Sequence, residues 1–268
     1  MKEENTSLLD YLEHLQSQGQ YWFLRDQARD ALQLTENAFQ KAAHRLIKKG
    51  KLDRVKGQFY MIVPPEYQAT RSLPASWFID ALMAYCQQKY YVGALTASAF
   101  QGAAHQQPMT FQVISDKPTR SITLGQVHIE FLYKKKILPH FSQAIKTASG
   151  TMQVSTPEMT AFDLVRYINA AGQINQVATV LSELTNKINP DHLVHLLANK
   201  EVEISTAQRL GYLIEQVTQD VDLHAFKTQL KRRKTTYRLL VSGGSSTIIA
   251  QNKDWHILVN EKLELDEL

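Results

Sequence analysis

The chain has 268 residues, 44% of them hydrophobic, a formal net charge of +4 and one cysteine. That length buries a substantial core and fits two domains, the charge is too small for a chain coated in nucleic acid, and a single cysteine excludes a disulfide framework and a cysteine-based zinc site. No apolar run approaches the roughly 20 residues of a membrane span, and Met1-Lys2-Glu3-Glu4 lacks the apolar core of a signal peptide, so a cytoplasmic protein without membrane contact is expected.

From the amino terminus, Leu8, Leu9, Leu12 and Leu15 recur at helical spacing ahead of Gly19, which predicts a helix over Ser7 to Gln16. Tyr21-Trp22-Phe23-Leu24 reads as a short strand, and Arg25 to Leu32 as a compact helix turning Ala28, Ala31 and Leu32 to a core. After Gln33-Leu34, Thr35-Glu36-Asn37 supplies a helix start and Gly50 a helix stop. Between them Phe39, Ala43, Leu46 and Ile47 share one face, and Asn37, Lys41, His44, Arg45 and Lys48 share the other. Beyond Gly50 the period changes to that of two strands joined near Lys56-Gly57, ending at Val63. Helix, strand, helix, turn, helix, hairpin is the order of a winged helix-turn-helix, expected over residues 1–64.

Charge gives that module a partner. From Thr35 to Tyr60 there are seven Lys or Arg against two acids, placed on the outer helix face and the hairpin. A lysine-rich amphipathic helix can be a plain solvated face, but a hairpin behind it and a helix-turn ahead of it favour duplex DNA. In that docking geometry Thr35, Asn37, Gln40, Lys41 and His44 meet base edges and nearby phosphates, while Arg45, Lys48, Lys49, Arg54 and Lys56 contact the backbone.

Residues 65–74 contain Pro65 and Pro74 and no sustained period, so an extended linker is expected there, followed by a second domain over 75–268. Its text predicts a helix over Trp77 to Gln88 and a small-residue helix from Leu95 to Gly102. Strands are predicted at Thr110 to Ile114, Ser121 to Leu124 and Val127 to Tyr133. Helices follow at Met159 to Ala171, Ile174 to Leu184, Asp191 to Ala198 and Ser205 to Val217, then strands at Tyr237 to Val241 and Trp255 to Val259. Cys86, beside Met83, Ala84 and Tyr85, reads as a buried thiol. The fold class is α+β: an N-terminal winged helix-turn-helix followed by a larger mixed α/β domain with a small sheet flanked by helices.

Catalytic chemistry finds little support. Glu158 and Asp163 are five apart and off a common helix face, and Glu158 suits a helix start. Asp116, Glu130 and Lys134 come in the order of a metal-dependent nuclease, with Glu130 and Lys134 on one strand face at wider spacing than short nuclease motifs use. Ser242-Gly243-Gly244-Ser245 lacks the lysine and helix of a phosphate loop and reads as a hairpin turn. His192 and His195 share a helix face without a third ligand. No enzyme, cofactor or metal is expected. Two basic clusters, Lys134-Lys135-Lys136 and Lys231-Arg232-Arg233-Lys234 with Lys227 and Arg238 nearby, offer a second surface for nucleic acid or are solvated loops.

Four marks of the second domain come in a known order: Tyr91-Val92-Gly93 with a small-residue helix and Gly102; Val154-Ser155-Thr156-Pro157-Glu158-Met159-Thr160-Ala161-Phe162-Asp163-Leu164; Arg209-Leu210-Gly211-Tyr212-Leu213; and Trp255-His256-Ile257-Leu258-Val259-Asn260. With the amino-terminal module they resemble the AbiE-type antitoxins of abortive-infection type IV toxin–antitoxin systems. Met159 and Gln101 depart from the arginine and histidine that the family commonly has there. The resemblance implies a transcriptional autorepressor that binds inverted repeats in its own promoter through the winged helix. It also implies phage defence, through a carboxy-terminal antitoxin domain that counteracts a nucleotidyltransferase-like toxin without a stable complex. The alternatives are a stand-alone winged-helix regulator whose second domain senses a ligand or dimerises, and the metal-dependent nuclease.

Overall fold

A computed structural model of the chain describes residues 7–71, 73–103 and 108–264. At its start, the Ser7 hydroxyl accepts the Asp10 amide while the Asp10 carboxylate accepts the Ser7 amide, a reciprocal cap that opens helix α1, Leu8–Ser17. Strand β1 (Trp22–Leu24) leads straight into helix α2 (Arg25–Ala31), and Gln33 in the left-handed region turns the chain toward helix α3 (Glu36–Lys48). Strands β2 (Leu52–Lys56) and β3 (Phe59–Ile62) form an antiparallel hairpin, and β1 adds to β3 to make a three-stranded sheet ordered β1-β3-β2. Leu8, Leu12 and Leu15 of α1, Phe39, Ala43 and Leu46 of α3, and Phe23, Leu52, Tyr60 and Ile62 of the sheet bury into one core. The Phe23 and Tyr60 rings stack at 5.6 Å, and Phe39 meets Tyr60 edge-on at 5.5 Å.

Of residues 65–74, which their prolines and aperiodicity mark as an extended linker, residues 65–71 form turns. Pro65 fixes the backbone of a single tight helical turn, Pro65–Tyr67, and turns continue to Arg71. Tyr67 and Tyr21 both pack on Trp77, with ring centroids 5.7 and 4.7 Å away. Apolar burial by these three rings is what the proline pattern does not reveal. Ser72, within that stretch, lies outside the described residues.

Two compact units divide the chain: Met1–Tyr91 with Met109–Lys135 and Ala144–Gln153, and Val92–Pro108 with Lys136–Gln143 and Val154–Leu268. The first therefore runs through the boundary expected at 64–75. It includes helix α4 (Ile79–Tyr85) and most of a six-stranded sheet built from β4 (Tyr90–Val92), β5 (Thr110–Ser115), β6 (Ile122–Leu124), β7 (Val127–Tyr133), β8 (Ser142–Thr147) and β9 (Gly150–Ser155). The order is β6-β7-β5-β4-β9-β8, with β5 parallel and β6 antiparallel to β7. The helix expected over Trp77 to Gln88 is shorter because Ala75–Trp77 forms a separate tight turn, and Cys86 is half-buried rather than buried.

The second unit is mainly helical: α5 (Ala94–Phe100), α6 (Pro157–Arg166), α7 (Gln173–Leu184), α8 (Pro190–Ala198), α9 (Ile204–Val217) and α10 (His224–Lys231). Phe162 of α6, Phe226 of α10 and Trp255 form a chain of ring contacts at 6.2 and 6.0 Å. Gly211 of α9 sits where a Cβ would overlap the Trp255 ring, so glycine there is a packing requirement. A small sheet ordered β10-β12-β11 closes the unit, from Arg238–Leu239, Ile257–Val259 and Ala250–Asn252. Because β10 and β11 lie on opposite sides of β12, Ser242-Gly243-Gly244-Ser245 is a connection around the sheet and not the hairpin turn expected. Among the described residues no helix is long and apolar enough to cross a membrane.

Candidate functional site

The outer face of α3 starts from its cap. Thr35 accepts the Ala38 amide at 3.3 Å, so its hydroxyl is committed to the helix start. From there 100° per residue places Asn37, Lys41, His44 and Lys48 within one narrow stripe opposite the buried Leu46. Gln40 and Arg45 flank the stripe, and with Lys41 and His44 they line a shallow open depression. All ten expected contact residues, Thr35, Asn37, Gln40, Lys41, His44, Arg45, Lys48, Lys49, Arg54 and Lys56, are exposed.

Electrostatics distinguishes this face from the helix beside it. Arg25 and Arg29 of α2 each meet Glu36 at 3.1 Å, and Arg25 also holds Asp26 at 3.1 Å. The Arg25 hydrogen bond keeps the Asp26 carboxyl below its ordinary range and pushes the guanidinium up. These pairs fasten α2 to the start of α3 and neutralise its cations. On α3 and the hairpin no described carboxylate lies within ion-pair distance of Lys41, Lys48, Lys49 or Lys56. Two expected readers have internal bonds: Gln40 donates to Glu36 at 2.7 Å, and the Arg45 Nε–H donates to the Lys41 carbonyl at 3.3 Å.

The hairpin tip is held from outside residues 1–64. Gly57 turns it with φ +53°, and Arg54 Nε–H donates to the Gly57 carbonyl at 2.7 Å. Gln58 donates its amide to the Tyr85 hydroxyl at 3.0 Å, and a Cβ on Gly57 would collide with that same hydroxyl. Phe59 packs against Tyr85 at 5.9 Å and stacks on Trp22 at 5.3 Å. Sequence gives no signal for Tyr85, because a contact 27 residues away leaves no local pattern.

The second basic surface is less uniform than its sequence. Lys134, expected on it, is buried, with its ammonium 3.2 Å from the Tyr91 hydroxyl and over that ring. Lys134 follows β7 directly, its amide donating to the Ser115 carbonyl at 2.9 Å, and is buried while Lys135 and Lys136 stay exposed. Arg233 is also withdrawn: its guanidinium donates to the Leu197 and Ala198 carbonyls at 2.8 and 2.6 Å, capping α8. Lys227 binds Glu215 at 2.7 Å and lies over Trp255. Lys231, Arg232 and Lys234 remain exposed.

The three residues that come in nuclease order each have an internal partner. Asp116 accepts the Lys89 amide, Glu130 accepts from Gln112, and Lys134 is buried against Tyr91. No three His, Cys, Asp or Glu groups among the described residues are placed to hold a metal. Glu158 is buried and accepts the Asn189 amide at 2.8 Å, tying the start of α6 to the start of α8. Gln101 reaches the Ser155 carbonyl and the Thr160 hydroxyl at 2.7 and 3.0 Å. Arg209 holds the Leu239 carbonyl and the Ser242 hydroxyl, and the Asn260 amide bonds Val241 and Ser245. The four sequence marks of this region thus do structural work between strands, helices and loops.

The sequence of residues 91–216 matches the family model of the AbiEi antitoxin C-terminal domain. No curated protein matches the chain. Among solved structures, the fold is similar to the RV2827C protein from Mycobacterium tuberculosis, with a TM-score of 0.66 and 13% identity over 92% of this chain and 89% of that one.

Proposed function

We propose that this chain, whose residues 91–216 match the family model of the AbiEi antitoxin C-terminal domain, is the antitoxin of a type IV toxin–antitoxin system and represses its own operon. The family match carries the antitoxin reading. The amino-terminal residues 7–63 serve as a winged helix-turn-helix, with α3 as recognition helix and the β2–β3 hairpin as wing. Support comes from an exposed cationic stripe without carboxylate partners among the described residues, on the second helix of a helix-turn-helix order. Lys41, Lys48 and Lys49 would supply phosphate attraction, and Asn37 and His44 hydrogen bonds to base edges.

On this reading the protein works by binding in the cytoplasm, without catalysis, against a nucleotidyltransferase-like toxin that it neutralises without a stable complex. Rescue of growth tests this: co-expression of the full chain with the toxin encoded beside it should restore colony formation. Failure of rescue at matched protein levels would remove the antitoxin role. Binding to inverted repeats upstream of its own gene, followed by gel shift, tests autorepression separately.

A further inference from the structure

We propose that the phosphate-contacting surface continues past the hairpin onto the turn after α4, where Lys89, Lys117 and Arg120 form a second contact patch for the same duplex DNA. This rests on the DNA-binding reading of residues 7–63. Two chain segments build the patch. Lys117 donates its ammonium to the Gln87 carbonyl at 3.2 Å, Thr119 donates to the Gln88 side chain at 3.0 Å, and across the same join the Lys89 amide donates to the Asp116 carboxylate while the Asp116 amide donates to the Lys89 carbonyl. Lys89, Lys117 and Arg120 are all exposed.

The acid next to Lys117 in sequence, Asp116, has its carboxylate engaged by the Lys89 amide. No described carboxylate pairs with any of the three cations. Tyr85 sets the patch beside the hairpin, since its hydroxyl accepts the Gln58 amide at the hairpin tip and Lys89 follows four residues later, at most about 14 Å along the chain. A duplex held at Arg54 and Lys56 carries further phosphates within that reach, because B-DNA has one charge per roughly 1.7 Å of axis.

The test uses the full chain and a labelled 30-base-pair duplex, with affinity measured across a salt series. Changing Lys89→Gln, Lys117→Gln and Arg120→Gln together should weaken binding at least tenfold and flatten the log affinity against log salt slope by roughly 2 to 3, about 0.9 per phosphate contact. An unchanged melting curve shows that the fold is kept; if the triple variant unfolds, the single Arg120→Gln should still flatten the slope by about 0.9. Unchanged affinity and slope, with Lys41→Ala binding weakened, would overturn the patch and leave α3 standing. A wild-type chain that does not bind the duplex at all would overturn both.

Discussion

The cations of α3 and those around α10 are similarly dense in sequence, yet they meet different neighbours. Lys41 and Lys48 lie on a helix, with Lys49 at its end, whose one acid, Glu36, stands at the start and is engaged by Arg25 and Arg29. Around α10, Lys227 is drawn to Glu215 and Asp254, and Arg233 bonds two helix-end carbonyls. A run of basic residues therefore separates into cations that the fold ties to acids or helix ends and cations that it leaves exposed. Lys134 makes the same point: its two sequence neighbours are exposed, but it is buried with its ammonium against the Tyr91 hydroxyl.

The comparison can be strained at its internal side first. Gly211→Val forces a side chain into the Trp255 ring on which Lys227 rests, and overpacking there should cost about 3 kcal/mol or more in urea denaturation. Next, Arg233→Ala should cost about 2 kcal/mol, since it removes charge-assisted bonds to two carbonyls, whereas Lys231→Ala should stay within about 0.5 kcal/mol. Equal costs for the two would erase the distinction drawn within that basic run.

On the open side, Gly57→Ala puts a Cβ at φ +53° and against the Tyr85 hydroxyl. A loss of about 1 to 2 kcal/mol is expected by thermal melting, with Tyr85→Ala partly relieving it by removing the clash. The smallest effect is in acid. Because the Asp26 carboxyl is held below its ordinary value by Arg25, its contribution is fully present above that ordinary value and fades as pH falls through the lowered one. Asp26→Asn should remove this acid-side dependence in a pH series of melting temperatures.

Much of the first unit is legible because its signals are local. Capping at Thr35, the apolar stripe of Phe39, Ala43 and Leu46, and the Lys56-Gly57 turn each lie within one element, and α3 and the hairpin form at the expected places. What is not legible is long-range. The β8–β9 pair of strands has no turn signal beyond Gly150, and Tyr67, in the turns over residues 65–71, packs on Trp77, a contact that composition does not encode. α10 is eight residues long and buries only Phe226 and Leu230, too few apolar positions to set a period by themselves. For the candidate site, the exposed α3 residues were accessible from periodicity, but the Glu36 engagement of Gln40 and the Tyr85 brace on the hairpin depend on tertiary placement.

The central claim is that the open face of α3 holds duplex DNA and the late basic run does not. A direct measurement is the affinity of the full chain for one labelled duplex over a salt series, with Lys41→Ala/Lys48→Ala set against Lys231→Ala/Lys234→Ala. The α3 pair should weaken binding at least tenfold and flatten the salt slope by about 2, while the late pair leaves both unchanged. Full affinity in the α3 pair, or an equal loss in the late pair, would contradict the account.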